Sequence, residues 1–209
     1  MTISLFDPDG QWLKPPRASL FWHSSYLAQS RADSLLVTLL AELDWQQGRV
    51  HLFGKDHQEP RLSSYYGDTG SDYSYANRAV VPAPWHPALA ALRQQLSEAF
   101  SSPFNAVLCN LYRNGQDCMG WHSDDEPELG PQPTIASVSL GATRRFRLRD
   151  KQNPKLQQTF ELNHGSLLIM AGTTQRYWQH SLAKAQKIQS PRINLTFRYV
   201  TPKCASSPA

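Results

Sequence analysis

The stretch PRINLTFRYV, Pro191–Val200, alternates strictly: Arg192, Asn194, Thr196 and Arg198 fall on one side of an extended chain, Ile193, Leu195, Phe197 and Tyr199 on the other. Successive side chains of a β-strand point to opposite faces. The spacing therefore predicts a strand that packs with one face and presents two guanidiniums, an amide and a hydroxyl with the other. Back toward Phe104 the chain reads as more short runs of the same kind, FNAVLCNLY, TIASVSL, RRFRLR, QTFEL and GSLLIM, separated by RNGQD, GAT, RDKQNP and NHG. Runs of this length punctuated by Gly, Asn, Asp and Pro predict an antiparallel β core.

The period changes upstream. RADSLLVTLLAEL sets Leu35, Leu36, Leu39, Leu40 and Leu43 at helical spacing behind Asp33 as a cap, and HPALAALRQQLSEAF repeats the pattern with Leu89, Leu92, Leu96 and Phe100. Helices followed by many short strands predict an α+β domain in which N-terminal helices cover one face of a sandwich or barrel. We expect residues 1–209 to form a single domain: an N-terminal extension to residue 103, a β core over 104–200 and a flexible tail over 201–209.

Composition narrows the classes of function. The 21 Lys and Arg exceed the 17 Asp and Glu by only four, which permits a polyanionic partner without demanding one. Cys109, Cys118 and Cys204 are odd in number and irregularly spaced, so neither a disulfide framework nor a Cys-rich zinc site is expected. No window approaches the ~20 apolar residues of a membrane span, and MTISLFDPDGQWLKPPRASL has no leader pattern. We expect a monomer of the cytoplasm, or of the nucleus where there is one, with no membrane partner.

In NLYRNGQDCMGWHSDDE, Asn110–Glu126, a strand, a turn at Asn114–Gly115 and a second extended run are expected. Residues two apart share a face there, so His122, Asp124 and Glu126 point one way. An imidazole and a carboxylate joined by another histidine make the two-His-one-carboxylate set that leaves three positions open on Fe(II). TTQRYWQHSLAKAQ supplies His180. His86, before a helix-starting proline, and His164, in NHG, read as cap and loop residues; His23, His51 and His57 are less well placed. The polar face of 192–198, joined by Asn110 and Tyr112 from FNAVLCNLY, suits a dicarboxylate through charge-assisted bonds. For these residues a solvated turn or sheet face is the competing explanation.

Together, NLYRNGQDCMGWHSDDE, HSL and PRINLTFR, in this order over roughly residues 45–200, resemble the signature blocks of the AlkB-like Fe(II) and 2-oxoglutarate-dependent dioxygenases. The resemblance implies a double-stranded β-helix, or jelly roll. It implies that His122, Asp124 and His180 bind iron, and that Asn110, Tyr112, Arg192, Asn194, Thr196 and Arg198 hold 2-oxoglutarate, with Arg192 at the distal carboxylate and Arg198 nearer the metal. It implies oxidative demethylation of N-alkylated bases of the 1-methyladenine and 3-methylcytosine type in DNA, with dioxygen consumed and succinate, carbon dioxide and formaldehyde released. In RVHLFGKDHQEPRLSSYYGDTGSDYSY the match is to the duplex-DNA branch. Leu52, Phe53 and Gly54 resemble a finger that wedges into the base stack, and Arg61 a residue beside the vacated site. Tyr73 and Tyr75 resemble an aromatic lid over the flipped base, and Glu126 a carboxylate at its exocyclic amine. Arg144, Arg145, Arg147, Arg149, Lys184 and Lys187 are candidate phosphate contacts. The loop HSLAKAQKIQSPR departs from that branch in holding only two lysines, Lys184 and Lys187. The same chemistry on single-stranded RNA, transfer RNA or protein, and a non-catalytic jelly-roll binding module, are the alternatives.

Overall fold

The structure, a computed structural model, describes residues 10–52, 54–75 and 78–202. In chain order its elements are β1 (Gln11–Leu13), β2 (Ser19–His23), α1 (Gln29–Glu42), β3 (Arg49–Leu52), β4 (Lys55–Gln58), β5 (Leu62–Gly67), β6 (Tyr73–Tyr75), β7 (Arg78–Val80) and α2 (Pro87–Phe100). There follow β8 (Ala106–Tyr112), β9 (Met119–His122), a 3-10 turn (Pro127–Leu129), β10 (Ile135–Gly141), β11 (Arg144–Asp150), β12 (Gln157–Leu162), β13 (Ser166–Ala171), α3 (Thr174–Tyr177), β14 (Trp178–Leu182) and β15 (Arg192–Arg198).

Two antiparallel sheets carry the architecture. The major one has the order β1-β2-β13-β10-β15-β8-β5 and the minor one β12-β11-β14-β9; β3-β4 and β6-β7 are separate hairpins. Side-chain parity gives each strand of the major sheet two distinct faces. Val107, Cys109 and Leu111 of β8, Ala136, Val138 and Leu140 of β10, Leu167 and Ile169 of β13, and Ile193, Leu195 and Phe197 of β15 join one apolar cluster. The same cluster takes in Ala32, Leu35 and Leu39 of α1 and Leu89, Leu92 and Leu96 of α2, the stripes that helical spacing places on one side. Opposite-parity residues Ile135, Leu168 and Met170 of the major sheet meet Leu148, Phe160, Leu162 and Trp178 of the minor-sheet side in a second cluster. Each fully buried Leu or Ile in these layers contributes roughly 1.5–3 kcal/mol. A sandwich of two antiparallel sheets results, consistent with the expected jelly roll, with polar residues of β8, β10 and β15 lining the cavity between them.

Three readings of the sequence are corrected. Strands do not wait for the helices: β1, β2 and β5 form both edges of the major sheet, β2 pairing with β13 and β5 with β8. Helix α1 starts earlier than Asp33; its N-cap is Ala28, and the Asp33 carboxylate instead lies 3.1 Å from His164 Nε2. Tyr199 lies past the end of β15 and is exposed. The expected cap at His86 is present, since its Nδ1 accepts from the Ala88 amide at 3.2 Å ahead of Pro87.

Candidate active site

Pairing of β9 with β14 sets His122 directly opposite His180, just where the register shifts. Their rings are 4.2 Å apart between centroids, near edge-on. Past the end of β9, the Asp124 amide donates to Gln175 Oε1 at 3.0 Å and Ser123 Oγ donates to the Trp178 carbonyl at 2.9 Å. Those two bonds fix the coil so that Asp124 Oδ1 comes within 3.6 Å of His122 Nε2 and 3.7 Å of His180 Nε2. Ligand atoms of the three side chains lie within 4.8 Å of one another, the only such group of three or more among the described residues.

The electrostatics keep Asp124 and His180 as donors. Burial pushes the Asp124 carboxyl up, but Arg198 first, then His180 and His122, outweigh it and hold it at about 2. Burial, with His122 adding to it, pushes His180 down to about 3 against the opposing pull of Asp124. Near neutrality one therefore has a carboxylate beside a neutral imidazole. His122 Nδ1 lies 3.0 Å from the Gly120 carbonyl, an acceptor that in the neutral ring selects the tautomer with the proton on Nδ1 and frees Nε2 on the Asp124 side for a metal. A carboxylate oxygen and two imidazole nitrogens at this separation suit Fe(II) and similar divalent ions.

Beside the triad lies a cavity lined by polar residues of β8, β10 and β15. Register puts Arg192 opposite Tyr112 and Asn194 opposite Asn110. Arg192 is 2% exposed, donates through Nη2 to Ser139 Oγ at 2.9 Å and Asn194 Oδ1 at 2.7 Å, and sits 5.3 Å from the Tyr112 ring centre. Its buried Nε has no hydrogen-bond partner, and burial draws its pKa down to about 10. A guanidinium buried without a carboxylate is costly, so this end of the cavity calls for an anion. Asn194 Nδ2 donates to Thr196 Oγ1 at 2.7 Å, while Arg198 Nη2 reaches Asp124 Oδ2 at 2.8 Å. A dicarboxylate fits this arrangement: a buried cation at the far end, a metal-binding triad at the near one.

The remaining expected residues divide. Arg61 lines the cavity, donating through Nε to Asn110 Oδ1 at 2.9 Å and pairing with Glu59 at 3.1 Å. Glu126 does not continue the His122 parity, because β9 ends at His122; it caps the 3-10 turn and is absent from the cavity lining. Phe53 lies outside the described residues; Tyr73 and Tyr75 are the ends of β6, paired with Val80 and Arg78. Arg144 is no surface cation: it is 1% exposed and bonded to backbone carbonyls. Arg145 is exposed and pairs with Glu161, while Arg147 and Arg149 lie over Trp121; Lys184 and Lys187 are exposed. Sequence reasoning missed Ser137, Ser139 and Gln175. Period-two parity in TIASVSL, with Ala136, Val138 and Leu140 packed, was signal enough for the two serines; nothing local marks Gln175.

Residues 19–198 match the family model of the 2OG-Fe(II) oxygenase superfamily. Over 180 residues the chain is 44% identical to alpha-ketoglutarate-dependent dioxygenase alkB homolog 3 of Bos taurus, covering 82% of this chain and 62% of that one, less than two thirds of the relative's length. It is 40% identical over 184 residues to DNA oxidative demethylase ALKBH2 of Mus musculus, covering 83% and 77%. This chain is an AlkB-like 2OG-Fe(II) oxygenase. The solved structure of OsALKBH1 shares the fold at a TM-score of 0.58 and 19% identity, over 90% of this chain and 100% of that one. Fe(II) and 2-oxoglutarate are the groups the family's name implies, and the triad with the Arg192 cavity fits both.

Proposed function

We propose that this oxygenase removes methyl groups from N-alkylated bases in DNA, 1-methyladenine and 3-methylcytosine being the type, with duplex DNA preferred. The observation that carries the reading is the triad beside the Arg192 cavity in a chain 44% and 40% identical to alkB homolog 3 and to a DNA oxidative demethylase. His122, Asp124 and His180 hold Fe(II), and Asn110, Tyr112, Arg192, Asn194, Thr196 and Arg198 form the cosubstrate chamber. The Fe(II) that these ligands would hold would supply, with 2-oxoglutarate and dioxygen, the oxidising chemistry that hydroxylates the methyl group while the cosubstrate goes to succinate and carbon dioxide, the hydroxymethyl product then losing formaldehyde.

The protein's own share is positioning. Arg192 binds the distal carboxylate, with Ser139 and Asn194 fixing the guanidinium's direction. Arg61 orients Asn110, and Arg198 neutralises Asp124 from the side away from the histidines. Phe146, whose ring is 5.2 Å from that of His180, helps keep water from the metal side. Base flipping would be supported by Phe53 as wedge, by Tyr73 and Tyr75 as lid and by Glu126 at the base edge, since the methylated edge is hidden in a duplex and unstacking costs a few kcal/mol. The sparse cations after His180 favour a second substrate class, single-stranded DNA or RNA. No helix among the described residues is long and apolar enough to cross a membrane.

The test is a panel of methylated oligonucleotides, DNA and RNA, single- and double-stranded, read by mass spectrometry for loss of one CH2 per methyl. His122→Ala, Asp124→Ala and His180→Ala are run beside the wild type. We expect duplex DNA to turn over fastest and all three variants to be inert but folded. Turnover of methylated RNA alone would reassign the substrate, and full activity of any variant at limiting iron would remove the triad assignment.

A further inference from the structure

Behind Tyr112, which lines the cosubstrate cavity beside Arg192, lies a second buried cation that does not itself line it. Arg144, at the start of β11, is 1% exposed, and its guanidinium carbon lies 5.8 Å from the centre of the Tyr112 ring, whose distance from the Arg192 guanidinium is 5.3 Å. One phenol is therefore shared by two buried guanidiniums. Among the described residues neither has a carboxylate within ion-pair reach, and each carries a buried Nε without a hydrogen-bond partner. Like-charged groups desolvated this close together repel, and nothing in apolar packing requires it; a dianion at that end would relieve it.

The hydrogen bonds Arg144 does make close that end off. Nη2 donates to the carbonyls of Asp117 at 2.9 Å and Ala183 at 2.7 Å, and Nη1 to that of Asn114 at 3.3 Å. Asn114 and Asp117 belong to the turn between β8 and β9, Ala183 to the loop between β14 and β15. Backbone bonds lock the same two segments: Gly115 N to the Ile188 carbonyl and Ala185 N to the Gly115 carbonyl, both 2.8 Å. A β-carbon on Gly115 would sit 1.8 Å from the Ala185 oxygen, so only glycine allows that approach. The two segments flanking Tyr112 and Arg192 thus meet over Arg144.

We propose that Arg144 is a positioning and selectivity residue for the cosubstrate: acting through Tyr112, it supplies the second positive charge by which this end of the cavity prefers a dianionic 2-oxo acid to a monoanionic one. The inference rests on the reading of Arg192 and Tyr112 as the distal-carboxylate site. The atoms that bond Arg144 are neutral backbone carbonyls, and the nearby Asp117 carboxylate, which it feels electrostatically, is already paired with Arg113, so much of the Arg144 field is left for an anion beyond Tyr112. A purely structural arginine would be indifferent to that anion's charge.

The experiment measures binding, without turnover, to protein loaded with Mn(II), by calorimetry with two probes: 2-oxoglutarate, and 2-oxopentanoate, in which a methyl replaces the distal carboxylate. Wild type should bind 2-oxoglutarate at least ~30-fold more tightly. Arg144→Met should lose about ten-fold in 2-oxoglutarate affinity while 2-oxopentanoate changes less than about two-fold, narrowing the ratio. Equal losses for both acids, or no loss, would overturn the proposal. Arg144→Lys, which keeps the charge but as a compact ammonium lacks the planar fork that spans the three carbonyls, guards against a variant that fails to fold. It should keep most of the wild-type ratio even if it melts earlier, and a collapse of the ratio in that variant counts against the charge. A wild-type ratio near one would instead remove the distal-carboxylate reading itself, and Arg192→Met separates the cases, because it must abolish the preference if that reading holds.

Discussion

Arg198 Nη2 lies 2.8 Å from Asp124 Oδ2, while Asp124 Oδ1 faces the Nε2 atoms of both histidines at 3.6 and 3.7 Å. The carboxylate is divided in use: one oxygen is neutralised by a buried cation, the other is left to a metal. Removing the cation should therefore act on metal binding rather than on the fold's surface. With Arg198 present the Asp124 carboxyl titrates at about 2, below its ordinary 3.8, so its stabilising contribution is complete above 3.8 and lost as pH falls through about 2. In Arg198→Met burial is no longer opposed by the largest of the lowering influences, and the titration moves upward. We expect Mn(II) affinity at pH 6 to fall about ten-fold and to recover as pH rises, measured by equilibrium binding across pH. A pH-independent wild-type affinity in the variant would show that Arg198 does not tune the ligand.

His180 gives a stability prediction of defined sign. Its native pKa is pushed down to about 3, mainly by burial, from an ordinary 6.5. Between those values the unfolded chain binds a proton that the folded chain does not, so stability rises with pH through the window and is lost as pH falls from about 6.5. The metal-free wild type should therefore melt progressively earlier from pH 7 to pH 4, and His180→Gln should melt with a shallower dependence. Identical slopes in the two proteins would mean that His180 is protonated in the native state.

The polar faces of β8 and β15 were readable because alternation is a local property: Asn110, Tyr112, Arg192 and Asn194 line the cavity, and Ile193, Leu195 and Phe197 pack outside it. The histidine and carboxylate donors were readable because their chemistry is rare. Long-range pairing was not readable. LSSYYG, which became β5, alternates weakly and draws its strand character from lying against β8. Arg144 looked like its neighbours in TRRFRLRD, yet strand parity puts it on the buried side, where only the two meeting loops reveal its acceptors. Only the parity of Glu126 fails, since the bond from the Asp124 amide to Gln175 and the 3-10 turn end the extended run before it.

Arg192 should separate the two substrates' requirements. It has no carboxylate of its own among the described residues and lies at the end of the cavity away from the triad, so a missing guanidinium is felt by the cosubstrate alone. A lost charge-assisted contact is worth ~2 kcal/mol or more. Arg192→Ala should raise the 2-oxoglutarate KM by about thirty-fold while the oligonucleotide KM moves less than about three-fold. Steady-state titration of each substrate at saturating levels of the other decides it, and parallel rises would show a general disruption rather than a lost anchor.

Phe53 carries the choice between duplex and single strand, and its substitution is the sharpest test of the proposed substrate. A wedge replaces the stacking lost when the target base leaves a helix, a benefit absent in a single strand whose bases are already partly unstacked. Phe53→Ala should thus lower kcat/KM on methylated duplex DNA by about ten-fold or more while leaving the same sequence as a single strand within about two-fold, with little change in melting temperature. A phenylalanine that instead belonged to a packed core would cost ~3 kcal/mol or more on truncation and lower both activities together. The measurement is the ratio of the two specificity constants in variant and wild type, at one salt concentration, because phosphate contacts weaken steeply with salt. A ratio unchanged in a protein that still melts at the wild-type temperature would remove the wedge. The exposed Lys184 and Lys187 would then fit the weaker electrostatic demand of a single-stranded substrate.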